Sequence, residues 1–272
     1  MIHFSPAKIN LGLQILERRK DGFHELRSVM YPTPLCDIIE INQLAEETIP
    51  VRFSQSGIAV EEDPENNLCM KAWKIFSDEY VLPNVAIHLH KQIPVGAGLG
   101  GGSSNATTIL RGLNLLAGSP ASPEKLAGLA AQLGSDCPFF LHDFPMMMEG
   151  RGEVLSRVNL SLEKSFLVLL FPEINISTAE AYGAVSPFQS ELHLGELIKE
   201  PLNRWRDLIV NDFEKSAFLK HPQLLALKQD LYHAGATFAS MSGSGSSLFG
   251  IFGESPVLNE EIQKYVIWNG PA

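Results

Sequence analysis

The chain has 272 residues, 45% of them hydrophobic, with 21 Lys and Arg set against 31 Asp and Glu for a formal net charge of −10. That apolar fraction excludes a disordered chain and suffices for a large core in one domain or two. The acidic balance argues against a nucleic-acid partner, whose phosphates demand clustered cations.

Three cysteines, Cys36, Cys69 and Cys137, are odd in number, widely spaced and without a C-x-x-C pair. They read as reduced thiols in a reducing compartment, neither disulfides nor zinc ligands. The longest apolar run, residues 166–171, is far too short to span a bilayer. The N-terminus lacks the basic, apolar, then small-residue order of a signal peptide. The expectation is a cytoplasmic protein with no membrane partner.

In chain order, residues 9–16 and 37–42 read as strands, and residues 66–80 as a helix with Leu68, Ala72, Ile75 and Phe76 at helical spacing and Pro83 beyond as a stop. Val85-Ala86-Ile87-His88-Leu89-His90 alternates as a strand does. His88 and His90 share one face of it without an acidic or Cys partner at useful spacing, which argues against zinc. A helix follows from residue 103 to about 116, and another over 122–133, where Pro123 and Glu124 follow Ser122. Met146-Met147-Met148 reads as strand packing, and Glu149-Gly150-Arg151-Gly152-Glu153 as a turn. A second part opens with a buried strand at 166–170, then helices at 191–199 and 223–233 and a strand at 247–252. The tail after residue 255 carries little signal.

The densest information lies in Pro94-Val95-Gly96-Ala97-Gly98-Leu99-Gly100-Gly101-Gly102-Ser103-Ser104, where five of the seven residues from 96 to 102 are glycine. Such a run between a strand and a helix start gathers backbone N–H donors at the positive end of a helix, an arrangement suited to phosphate. Three other readings compete. A purely structural loop carries a large cost in chain entropy. The dinucleotide fingerprint G-x-G-x-x-G fits formally, but residues 118–121 offer no acid for a ribose. A P-loop requires a closing Gly-Lys-Ser/Thr, which is missing. A nucleoside triphosphate cradle of a further type remains. The net charge does not forbid it, because exposed charges are screened beyond about 8 Å while loop amides touch phosphate at about 3 Å.

These residues resemble the GHMP kinase superfamily of galactokinase, homoserine kinase, mevalonate kinase and phosphomevalonate kinase. Residues 94–104 fit the shared glycine-serine motif. Ser5-Pro6-Ala7-Lys8-Ile9-Asn10-Leu11 is similar to the N-terminal motif, and Met241-Ser242-Gly243-Ser244-Gly245-Ser246 to the C-terminal glycine motif, in the correct order. Asp21-Gly22-Phe23-His24-Glu25-Leu26 and Gly134-Ser135-Asp136-Cys137-Pro138-Phe139-Phe140 resemble the member whose acceptor is a cytidine diphosphate-linked methylerythritol. Homoserine- and mevalonate-type kinases are the rivals inside the superfamily, and a nucleotide-binding regulator without catalysis is the rival outside it.

The resemblance implies an α+β, two-domain GHMP-kinase fold. Residues 1–155 would form a nucleotide-binding domain like domain 2 of ribosomal protein S5, residues 156–272 a ferredoxin-like domain, and the active site the cleft between them. It implies ATP and Mg²⁺ as cofactors. The ATP-binding residues would be Pro94, Val95, Gly96, Ala97, Gly98, Leu99, Gly100, Gly101, Gly102, Ser103 and Ser104, the two serines adding hydroxyls to phosphate or Mg²⁺. Asp136 would accept the substrate hydroxyl proton beside Lys8, which keeps it ionised. An Asp titrates near about 3.9, so proton transfer should lag phosphoryl transfer. On spacing alone, Asp136 could equally cap the following segment, and Lys8 be a surface ammonium. Substrate would be held by Asn10, by Phe23 and His24 against the cytosine, by Thr178 and Tyr182, and by Ser242, Gly243 and Ser244. No acidic residue is placed for Mg²⁺, and oligomeric state is not readable.

Overall fold

The computed structural model describes all residues except 46–48, 61–66 and 186–191. Its order is β1 (Ile2–Arg18), β2 (His24–Gln43), β3 (Val51–Gly57), α1 (Leu68–Ser77), β4 (Val85–Lys91), α2 (Gly101–Leu116), α3 (Pro123–Leu133), a 3-10 turn (Cys137–Leu141), β5 (Met146–Gly150), β6 (Val154–Arg157) and β7 (Phe166–Leu170). Then come α4 (Thr178–Gly183), α5 (Leu194–Leu197), a second 3-10 turn (Leu202–Arg204), α6 (Trp205–Leu208), α7 (Phe213–Lys220), α8 (Pro222–His233), β8 (Phe238–Met241), β9 (Leu248–Phe252), α9 (Glu260–Gln263) and β10 (Val266–Pro271). The chain divides into two compact units.

The first unit takes Met1–Ala7, Leu35–Val95 and Gly100–Asp143. In it β2 pairs antiparallel with β4 from Ile38 against His90 to Gln43 against Val85, and β3 lies parallel to β4. Strand β4 buries Val85, Ile87 and Leu89 and leaves His88 and His90 half exposed, the period of two that places alternate residues on opposite faces. Helix α2 presents Ala106, Ile109, Leu110 and Leu113 at helical spacing to a core shared with Ile39, Ile41, Phe76, Ile87 and Leu129. Each such large side chain contributes about 1.5–3 kcal/mol relative to exposure. Asn67 caps α1 by accepting the Cys69 N–H at 2.9 Å, and Ser122 caps α3 ahead of Pro123.

The second unit takes Lys8–Pro34, Gly96–Leu99 and Phe144–Ala272. Strand β5 pairs antiparallel with β2 from Leu26 against Gly150 to Met30 against Met146, and with β6. The three methionines Met146, Met147 and Met148 are buried there. A separate antiparallel sheet runs β10-β7-β9-β8. Its central strands β7 and β9 are apolar on both faces and almost wholly buried, which is why they read as continuous hydrophobic runs rather than alternating ones. Leu224, Leu227 and Leu231 bury the inner stripe of α8, and the Leu231 side chain lies over Gly250 of β9.

Several elements differ from the sequence reading. β1 begins at Ile2 rather than residue 9, because Lys8 and Asn10 break the apolar alternation without breaking the strand. The helix expected over 66–80 spans Leu68–Ser77, with residue 66 outside the described residues. The helix expected over 191–199 contracts to Leu194–Leu197, with residue 191 likewise outside. Helix α2 starts at Gly101, two residues early. The tail is structured: β10 pairs with β7. No helix among the described residues is long and apolar enough to cross a membrane.

Candidate active site

Within the second unit, Lys8 and Asn10 stand on one face of β1, alternating with the buried Ile9 and Leu11. Lys8 is only 4% exposed and Asn10 2%, so Lys8 is not a surface ammonium. Its main-chain N–H donates to the Leu99 carbonyl at 2.9 Å. Its Nζ donates to Asn10 Oδ1 at 2.6 Å and to the Gly98 carbonyl oxygen at 3.1 Å. Asn10 Nδ2 donates onward to Ser28 Oγ at 2.8 Å, and the Ser28 hydroxyl to the Gly12 carbonyl at 2.7 Å. A buried charge persists only where such partners offset its desolvation.

The C-terminal glycine loop closes on the same spot. Ser242 Oγ donates to the Gly98 carbonyl at 2.9 Å, and the Ser247 N–H to the Ala97 carbonyl at 3.1 Å. Gly98 has φ +77°, and a Cβ there would run into the Ser242 carbonyl oxygen. A residue with a side chain could not take up that dihedral and that approach together. Gly243 sits with φ +55°, where a Cβ would stand 3.3 Å from Asn10 Oδ1 and 3.4 Å from Lys8 Nζ. Lys8, Asn10, Gly98, Ser242 and Gly243, chosen from distant motifs, are thus brought together. Ser244 is half buried at the loop tip.

Within the first unit, Gly100 is the N-cap of α2 at φ 69°, and its position supplies no side-chain cap. The first-turn N–H groups are therefore not claimed by a capping side chain. Ser104 faces inward, fully buried, its Oγ 2.8 Å from Ser5 Oγ. Ser103 is half exposed and bonds the Cys137 thiol. Below lies a buried network that sequence reasoning missed. Asp37 accepts the Gln92 N–H at 2.6 Å, the Ile93 N–H at 2.8 Å and Asn105 Nδ2 at 2.8 Å, and pairs with the Lys91 ammonium. Burial pulls the Lys91 amine below its ordinary value, opposed by Asp37. The Lys91 Nζ lies directly under Gly101. The clue was an acid and a lysine at inward positions of strands.

Asp136 occupies the N-cap position of the first 3-10 turn without a side-chain capping bond, so the capping alternative lacks its defining contact. The adjoining Cys137 is fully buried, its carbonyl accepts the Thr107 hydroxyl at 2.8 Å, and burial pushes its thiol up to about 11.

The aromatic residues gather in the second unit. The His24 ring stacks on Tyr182 at 5.1 Å between centroids and 16° between planes, and Tyr182 meets Phe213 edge-on at 5.0 Å. Phe23 is 56% exposed, with the Arg151 guanidinium 5.1 Å above its ring. Thr178 is exposed at the start of α4, which Ser177 caps. Phe213 and Arg151 as supports were not foreseen, because they lie 31 residues either side of Tyr182. His88 hydrogen-bonds Ser54 and Ser56, and His90 bonds Ser56. Among the described residues no three His, Cys, Asp or Glu side chains converge on a metal position.

The family model for the GHMP kinases N terminal domain matches residues 67–143, and that for the GHMP kinases C terminal matches residues 192–266. A 4-diphosphocytidyl-2-C-methyl-D-erythritol kinase of Bacteroides fragilis is 45% identical, aligned over 93% of this chain and 92% of its own. One of Parabacteroides distasonis is 41% identical over 99% of both. A crystal structure of 4-(cytidine 5'-diphospho)-2C-methyl-D-erythritol kinase superposes with TM-score 0.83 at 30% identity over 99% of this chain and 98% of that one. A homoserine kinase from Cytophaga hutchinsonii shares the fold, with TM-score 0.65 at 14% identity over 96% and 87% of the two chains. The chain belongs to the family of 4-diphosphocytidyl-2-C-methyl-D-erythritol kinases.

Proposed function

We propose that the chain transfers the γ-phosphoryl group of ATP to the 2-hydroxyl of 4-diphosphocytidyl-2-C-methyl-D-erythritol, a step of non-mevalonate isoprenoid precursor biosynthesis, in the cytoplasm. The observation that carries this reading is the buried Lys8 ammonium held by Asn10 and the Gly98 carbonyl, beside the loop at Ser242, in a chain of that family. The domains are read as residues 1–155 and 156–272.

Phosphoryl transfer needs positioning and neutralisation of charge more than covalent chemistry. In this reading the amides of residues 96–104 and the uncapped start of α2 hold the triphosphate. Lys8 offsets charge on the transferring group. The acceptor oxygen bonds to the γ-phosphorus as the bond to the β,γ-bridging oxygen breaks, ADP departs, and the hydroxyl proton passes to Asp136. The arrangement fits a magnesium nucleotide: with no acidic cluster among the described residues, the ion would take its ligands mainly from phosphate oxygens and water, with Ser103 offering a half-exposed hydroxyl of the loop. The cytosine would stack against Phe23, His24 and Tyr182. Asn10, Thr178, Ser242, Gly243 and Ser244 would bind the rest of the substrate, the 242–246 loop closing at its phosphate end, where Gly243 lies against Lys8.

The test is an ADP-release assay with this cytidine substrate, homoserine and mevalonate offered separately. Turnover with the first alone is expected. Turnover with another acceptor would reassign the substrate, and none with any would favour a nucleotide-binding regulator. Asp136→Asn should lose turnover while nucleotide and substrate still bind. An unchanged rate removes Asp136 as the base.

A further inference from the structure

The segment joining α6 to α7 grips two parts of the second unit at once. On one side, the Leu13 N–H donates to the Val210 carbonyl at 2.9 Å, the Asp212 N–H to the Leu13 carbonyl at 2.9 Å, and the Ile15 N–H to Asp212 Oδ2 at 2.7 Å. These bonds fasten it to β1 a few residues beyond Lys8 and Asn10. On the other side, Asn211, 2% exposed, donates from Nδ2 to both the Met241 and the Gly243 carbonyl oxygens at 2.8 Å, while its Oδ1 accepts the Phe213 N–H at 3.0 Å. Glu214 holds the strand leading in, accepting the Met241 N–H at 2.8 Å and the Ser240 hydroxyl at 2.9 Å, with Lys228 on its other oxygen at 2.6 Å.

The two carbonyls that Asn211 binds flank Ser242 and Gly243. A peptide unit is planar and trans, so its C=O and N–H point opposite ways. With the Gly243 carbonyl turned in to Asn211, the Ser244 N–H is turned away from it, on the loop where Gly243 lies against Lys8 and Asn10. Glycine at φ +55° would allow the same peptide to rotate, since no Cβ opposes it. The Asn211 amide is what selects one orientation.

We propose that Asn211 is a positioning residue for the phosphoryl transfer, fixing the orientation of the Gly243–Ser244 peptide so that the Ser244 N–H is a preset donor to a phosphate oxygen. This rests on the proposed reading of the 242–245 loop as part of the phosphate site. The amide matters for its donors, not its bulk. An aspartate of equal size would set its carboxylate against two carbonyl oxygens and would itself attract the Ser244 N–H, favouring the rotated peptide.

The experiment compares N211D, N211S and N211A with the unaltered enzyme. It reads kcat, both KM values, the melting temperature, and calorimetric affinity for a nonhydrolysable ATP analogue. Misplacing a donor at the reacting group costs about 10²-fold. N211D should therefore lose roughly that much kcat with the acceptor KM nearly unchanged, and should fall below N211A despite matching the native shape. A folded N211D with kcat close to the unaltered enzyme overturns the proposal, as does one no worse than N211A. If N211D does not fold, N211S against N211A decides at matched melting temperature: partial recovery of kcat by the serine donor supports it, and equal rates overturn it. K8M run in parallel separates the two readings. A fully active K8M removes the site itself, whereas an inactive K8M beside a fully active N211D removes only the role of Asn211.

Discussion

The Lys8 ammonium reaches the main-chain oxygen of Gly98, 90 residues away, at 3.1 Å, and the Ser242 hydroxyl reaches the same oxygen at 2.9 Å. One carbonyl thus ties the start of β1, the glycine run and the C-terminal glycine loop. The prediction is that Lys8→Met folds and binds nucleotide but loses turnover by about 10²–10³-fold, the range for removing one preset donor to developing charge. Lys8→Arg should not rescue it, because a planar guanidinium is larger and differently directed than the point ammonium packed against Gly243. Steady-state kinetics with a melting curve checks both, and an Arg variant at wild-type rate would show that charge alone suffices.

Phe23→Ala and Tyr182→Ala separate binding from chemistry. Base stacking on an aromatic ring amounts to about 1–3 kcal/mol by alanine substitution, so the acceptor KM should rise about 5- to 150-fold with kcat little altered. Tyr182→Ala should also release His24, its stacking partner, and so should have the larger effect. A fall in kcat at constant KM in either variant would contradict a stacking role.

Asp212 gives a pH-dependent stability effect. Burial raises its carboxyl above the ordinary value, with the Ile15 N–H pulling the other way. The folded state therefore binds more protons than the unfolded one between the ordinary and the raised value, so stability falls as pH rises through that window, and the penalty is complete above it. Asp212→Asn removes the charge and keeps an acceptor for Ile15. It should melt a few degrees higher near neutral pH, by the usual scaling of stability with melting temperature. The difference should close as pH falls below the ordinary carboxylate value. Melting curves across pH test this, and a variant less stable at neutral pH would show that the carboxylate is favoured in place.

The thiols should be slow to label. Burial pushes Cys69 up to about 12 and Cys137 up to about 11, and raises Cys36, with Asp37 adding to the last. At pH 8 a thiol titrating near 11 is thiolate in only about one molecule in 10³. Ellman's reagent should leave Cys69 and Cys137 unmodified in the folded enzyme and count three thiols after denaturation. Rapid labelling of Cys137 in the native state would contradict its burial.

What could be read from the chain beforehand was mostly local. The glycine run, the capping serine before Pro123 and the central strands β7 and β9 each announce themselves within a few residues. Lys8 and Asn10 were marked by resemblance to a family motif, but their seclusion was not, since a lone lysine in a strand reads as solvated until its partners at Asn10 and Gly98 are known. Strand β3 escaped notice because Val51 and Phe53 are followed by Ser54, Gln55 and Ser56, and its stability comes from pairing with β4. β10 likewise exists through β7. Asp37, Asn211 and Glu214 serve distant main-chain atoms. For Asn211 and Glu214 nothing in the neighbouring sequence reveals such a target.

The oxygen on which Lys8 and Ser242 converge belongs to no side chain. Saturation mutagenesis can displace it but never delete it, so a variant library will assign its importance to the residues around it. Replacing the amide between residues 98 and 99 with an ester, by chemical ligation or suppression with a hydroxy acid, weakens that acceptor while leaving both donors in place. Such a chain would measure directly how much of the enzyme's activity is written in its backbone.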